Sequence, residues 1–118
     1  MHKNLIHYLG SSSVRAQHQH HIIMDTLPLI AEHGLFQTMV ILKPGESSAR
    51  HHHKETHETY IVIEGEGKIT VGGRVFPVQQ GDFVNIPAMA PHQIINEGLF
   101  PMKVLSTKDK QVEDMVLY

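Results

Sequence analysis

The segment Arg50-His-His-His-Lys-Glu-Thr-His-Glu-Thr-Tyr60 concentrates four histidines and two glutamates in eleven residues. Imidazole titrates near neutrality and is the commonest metal-binding side chain, so this cluster points to metal or acid–base chemistry. If His51 to His53 is extended, the two-residue strand period sends His51 and His53 to one face and His52 to the other. Two imidazoles side by side are half of a metal site. After a turn through Lys54-Glu55-Thr56, Glu58 can face the same interior, where a carboxylate is costly to bury unless it is paired or bound to metal. A one-residue shift of register would exchange Glu58 for its neighbour His57, so either can complete the set. The last ligand must come from elsewhere, and His92, directly after Pro91 at the head of a strand, is the obvious supplier. Three neutral imidazoles and one carboxylate suit Fe(II), Mn(II), Ni(II), Cu(II) or Zn(II), with positions left for substrate or water.

The rest of the composition narrows the choice. Eleven histidines and no cysteine in 118 residues exclude thiolate ligands and disulfides. His18, His20 and His21 lie in a polar stretch and read as an edge strand or solvated surface. A net charge of −2 with neutral histidines offers nothing to draw the chain to phosphate backbones. No apolar run approaches the ~20 residues of a membrane span, and Met1–Tyr8 has no apolar block of signal-peptide length. The expectation is a cytoplasmic protein with neither nucleic acid nor membrane as partner. The length and the 41% hydrophobic content suit one domain spanning 1–118, with 1–19 an N-terminal arm and 107–118 a C-terminal tail.

The elements that must position these residues are strands. Short runs rich in Val, Ile, Phe or Tyr recur at His21–Asp25, Leu35–Leu42, Thr59–Glu64, Lys68–Val71, Arg74–Val78, Phe83–Ile86, His92–Asn96 and Lys103–Ser106. Turn signals separate them: Pro44-Gly45, Glu64-Gly65-Glu66-Gly67, Gln80-Gly81-Asp82, Asn96-Glu97-Gly98, and Gly72-Gly73 as a two-residue hairpin. No stretch carries a sustained helical period, although Leu29–Gly34 could form a single turn. Evenly spaced strands without intervening helices predict an all-β sandwich or barrel. Alternation puts Glu58, Tyr60 and Val62 on one face of their strand, and His92, Ile94 and Asn96 on one face of theirs.

These residues also match a known family. Gly45, His51, His53, Glu58 and Gly65 reproduce the spacing of the first cupin motif, G-x5-H-x-H-x4-E-x6-G. Gly81, Pro87, His92 and Asn96 resemble the second motif, G-x5-P-x-G-x2-H-x3-N, with Met89 where the family usually has its second glycine. The resemblance implies a double-stranded β-helix, or jelly-roll barrel, and makes His51, His53, Glu58 and His92 the ligands of one divalent transition metal. It favours Glu58 over His57, because Glu58 keeps the family spacing.

Activities known in the family include dioxygenases, isomerases, epimerases and decarboxylases. An oxygen-dependent enzyme acting on a small organic molecule ranks first, since open positions at such a site fit Fe(II) or a similar redox metal. A non-catalytic module that binds a metabolite or the metal, and a sugar isomerase-like protein, are the other readings. Glu58 is a candidate for moving a proton, and Tyr60 or His57 for a nearby donor. Tyr60 and Phe76 can also be read as core, and Lys43, Arg50 and Arg74 as solvated charges or as contacts for an acidic substrate. Small barrels of this kind usually pair, so Leu5-Ile6-His7-Tyr8-Leu9 and Met115-Val116-Leu117-Tyr118 are expected to pack across a homodimer interface that covers sheet edges.

Overall fold

The computed structural model describes residues 17–18, 25–32, 35–110 and 114–118. Among them lie eleven strands: β1 (Gln17–His18), β2 (Asp25–Glu32), β3 (Leu35–Leu42), β4 (His51–His53), β5 (Glu58–Glu64), β6 (Glu66–Val71), β7 (Arg74–Gln79), β8 (Phe83–Ile86), β9 (His92–Ile95), β10 (Met102–Lys108) and β11 (Met115–Leu117). They form two antiparallel sheets, one ordered β1-β2-β3-β10-β5-β8 and the other β11-β4-β9-β6-β7. Strands adjacent in sequence repeatedly fall in opposite sheets, as in the double-stranded β-helix that the motifs imply.

The strands expected over Leu35–Leu42 and Phe83–Ile86 are found with those bounds, and most others differ by a residue or two at an end. The single turn expected over Leu29–Gly34 is not formed as far as Glu32, because β2 runs through that stretch in register with β3. Its pairing is irregular between Pro28 and Ile30, consistent with a residue that cannot donate to the ladder. His18 lies in β1 at the edge of its sheet, while His20, His21 and the Leu5–Leu9 segment lie outside the described residues.

The inward faces change character along each strand. On β5 the buried positions run Glu58, Tyr60, Val62, and from β9 onward they run His92, Ile94, Asn96. The apolar core of Leu42, Val62, Ile69, Ile94, Met102 and Val104 therefore fills the middle of the barrel, and the polar ends of β5 and β9 meet at one end of it. Two turns show why the motif positions matter. Gly65 joins β5 to β6 at φ +87°, where an added Cβ would lie 2.7 Å from the Pro101 carbonyl oxygen. Asn96 is buried and saturated: its amide donates to the carbonyls of Leu42 (2.9 Å) and Phe100 (3.0 Å), and its oxygen accepts from Gly98 N–H (2.9 Å).

The C-terminal Met115–Leu117 pairs with His51–His53 of its own chain. The segment expected at a dimer contact thus covers the β4 edge from within.

Candidate metal centre

His51, His53, Glu58 and His92 converge from β4, β5 and β9, all buried, with one ligand atom from each lying within 4.8 Å of the others. The local reason is strand alternation: β4 buries His51 and His53 and turns His52 outward. His51 is registered directly opposite His92, and their rings lie 4.2 Å apart between centroids. Glu58 begins β5 in the facing sheet and places Oε1 3.0 Å from His92 Nε2 and 3.5 Å from His53 Nε2.

Neither of those contacts has hydrogen-bond geometry. His53 Nε2, His92 Nε2 and Glu58 Oε1 are buried without a hydrogen-bond partner, whereas buried polar atoms are nearly always satisfied. The opposite ring nitrogens explain the arrangement. Nδ1 of His51 lies 2.8 Å from the Ala49 carbonyl oxygen, Nδ1 of His92 2.9 Å from that of Ala90, and Nδ1 of His53 3.0 Å from Asp114 Oδ1. Those oxygens only accept, so each Nδ1 carries the hydrogen, and a neutral ring then presents an Nε2 lone pair to the common point. Glu58 is tied down in the same way: the Ser106 hydroxyl of β10 donates to its Oε2 and leaves Oε1 facing the histidines. This donor set fits a divalent transition ion, with imidazole orientation fixed by partners behind the ligands.

The electrostatics follow from crowding. Burial, helped by the neighbouring His92, lowers His51 from 6.5 to about 4. For His53 burial acts downward but is outweighed by Glu58 and Asp114, and its pKa is raised. Burial alone would raise the Glu58 carboxyl, yet His53, His92 and Lys108 hold it well below the usual carboxylate range. Tyr60, also buried, has its ring 5.8 Å from that of His92. Burial and then the charge of Glu58 push its phenol well up, so it keeps its proton.

His57 is not brought to the cluster. Its side chain is 64% exposed, its ring lies 3.6 Å from Asp109, and its backbone N–H donates to the same residue. The one-residue shift that would exchange it for Glu58 does not occur. His52 turns outward and bonds the Tyr118 hydroxyl at 2.7 Å. Sequence reasoning missed Asp114 and Ser106. Asp114 Oδ2 also accepts from the backbone N–H of Glu55 (2.8 Å) and Thr56 (2.9 Å) and from the Thr56 hydroxyl (2.8 Å). These donors and His53 outweigh its burial and hold its carboxyl well below the ordinary range. No local pattern marked it, since Asp114 follows Glu113 in the C-terminal segment, far along the chain from His53.

The fold and this cluster define a double-stranded β-helix protein with a buried three-histidine, one-glutamate centre. The chain belongs to the cupin family: the model of the cupin domain matches residues 38–108. Over 65 residues the chain is 37% identical to an uncharacterized protein of Methanocaldococcus jannaschii, covering 55% of this chain and 52% of that protein. Over 56 residues it is 39% identical to quercetin 2,3-dioxygenase of Bacillus subtilis, covering 46% of this chain and 17% of the enzyme. The chain thus spans about half the length of the first relative and under a fifth of the second. Among solved structures, a cupin-2 domain protein of Rhodospirillum rubrum superposes with a TM-score of 0.77 at 20% identity, over 92% of this chain and 77% of that one. A sugar phosphate isomerase of the cupin superfamily from Silicibacter pomeroyi does so with a TM-score of 0.67 at 26% identity, over 75% and 60%.

Proposed function

We propose that the chain holds one divalent transition metal through Nε2 of His51, His53 and His92 and an oxygen of Glu58, and acts as an oxygen-dependent enzyme on a small organic molecule. The observation that supports it best is the set of three buried, partnerless donor atoms facing one point, with the hydrogens on the far side of each ring. Leaving such atoms unsatisfied costs about 1–3 kcal/mol each, which an ion would offset. A bound ion would supply Lewis-acid or redox chemistry at the cluster. The chain's own residues set the conditions. Ser106 restrains one oxygen of Glu58, so that the other is free to ligate or to accept a proton. Tyr60 keeps its phenol hydrogen beside the cluster as a hydrogen-bond donor. The similarity of 56 residues of the chain to a dioxygenase favours oxidative chemistry.

The test is elemental analysis of protein purified without a nickel column, beside a His51→Ala, His92→Ala variant. About one iron, manganese or copper per chain, lost in the variant, is the expected result, followed by oxygen uptake with candidate substrates. A redox-inert ion and no uptake would move the reading to an isomerase-like or non-catalytic protein. No metal after reconstitution would overturn it.

A further inference from the structure

Among the described residues β7 and β8 each stand at one end of their sheets, and between them lies a cleft of about 330 Å³ lined by Val71, Arg74, Phe76, Phe83, Val84 and Asn85. Register sets this cleft against the histidine cluster. Val71 is opposite His92 across β6 and β9, and Val84 is opposite Tyr60 across β5 and β8. Cross-strand partners share a face, so both valines look into the barrel beside those two buried rings. Arg74 is opposite Val71, and Phe76 is opposite the buried Ile69, which puts their side chains on that inner side as well.

The cleft has one charge. The Arg74 guanidinium sits 5.9 Å from the centroid of the Phe76 ring, a placement that steadies a long side chain. Lys68 and Lys103 are each paired with a glutamate, but among the described residues Arg74 has no carboxylate, and no acidic residue lines the cleft. A larger cleft of about 480 Å³ differs in this respect, because Glu66, Asp82 and Glu97 line it together with Lys68, which is paired with Glu97. A permanent cation at the rim and apolar walls leading inward suit a ligand with an anionic end and an apolar body. A carboxylate matches the guanidinium fork best.

We propose that this cleft is the substrate's approach to the cluster and that it selects a small carboxylate with an aromatic or branched body. Arg74 holds the anionic end, and Val71, Phe76 and Val84 receive the body; the word substrate rests on the metal-dependent reading above, while the binding does not. Benzoate is the probe, with benzyl alcohol as its neutral counterpart, followed by amide and side-chain NMR in zinc-treated and metal-free protein. Benzoate is expected to shift Val71, Val84 and the Arg74 Nε–H saturably. Arg74→Gln should weaken benzoate about tenfold and leave benzyl alcohol unchanged, and Arg74→Lys should recover part of the loss. Benzoate affinity unchanged in Arg74→Gln, or no saturable shift at these residues, would overturn the proposal. Cleft shifts in a protein that takes up no zinc would support the cleft and remove the metal reading, whereas bound zinc without cleft shifts overturns the cleft alone.

Discussion

His51 and His92 are held in one way and His53 in another. The first two each direct Nδ1 at the carbonyl oxygen two residues earlier, so a short piece of chain in the right conformation orients the ring unaided. His53 finds its acceptor 61 positions away, in Asp114, which β11 delivers by pairing with β4. The same carboxylate also closes the turn before β5 through Glu55 and Thr56. A local backbone device survives most side-chain changes. A long-range one joins the site to the integrity of the C-terminal segment.

The largest effect should come from removing that long-range partner. In Asp114→Ala, the Nδ1 hydrogen of His53 and the N–H groups of Glu55 and Thr56 lose their acceptor. We expect a stability loss of about 2–4 kcal/mol in denaturant unfolding, and metal affinity lower by roughly 10–100-fold in a competition titration with zinc. Lost stability with unchanged affinity would show that Asp114 serves the turn alone.

His51 and His53 should also differ in sign with pH in the metal-free protein. His51, lowered to about 4 by burial and His92, refuses a proton that the unfolded chain binds. Its contribution therefore reduces stability as pH falls from about 6.5 to about 4. His53 is raised, so its contribution is complete below the unfolded value and is lost as pH rises through the folded one. Imidazole NMR should find His51 neutral down to about pH 4 and His53 still protonated above 6.5. Asp114→Asn should move His53 toward its ordinary value and leave His51 where it is. Equal movement of both would erase the distinction.

The smallest effect concerns the turn that joins the two regions. Met89 donates its N–H to the His53 carbonyl at 2.7 Å, and the next residue's carbonyl orients His92. Its φ is +71° and its side chain is 60% exposed. A left-handed conformation costs a non-glycine residue roughly 1–2 kcal/mol, and glycine's extra chain entropy takes back roughly half of that. Met89→Gly should therefore stabilise the protein by about 0.5–1 kcal/mol in thermal or denaturant unfolding, with metal affinity unchanged. Destabilisation would mean that the methionine side chain contributes packing here.

Much of the site was legible from the chain. The spacing of His51, His53, Glu58 and His92 pointed to one cluster, and the alternation that buries Glu58, Tyr60 and Val62 together is what β5 shows. The methionine in a glycine position was visible as a departure, and the structure explains it as a left-handed residue tolerated on the surface. β2 was less legible, because Pro28 and a mixed apolar pattern obscured a strand that pairing with β3 imposes. Asp114 and Ser106 carried no local signal, since each matters only through what lies across from it.

The sequence by itself determined the strand period, the turns and the alternation that puts His51 with His53, Glu58 with Tyr60, and His92 with Ile94 on one face of each strand. These are properties of neighbours along the chain, decided by where a Cβ points and which residues accept a turn. Only the tertiary structure decided that His57 stays outside, that Asp114 rather than a nearby carbonyl orients His53, and that Arg74 borders a cleft beside the cluster. Those outcomes depend on which strands pair and in what register, and burial summed over both sheets sets that pairing, which no single segment encodes.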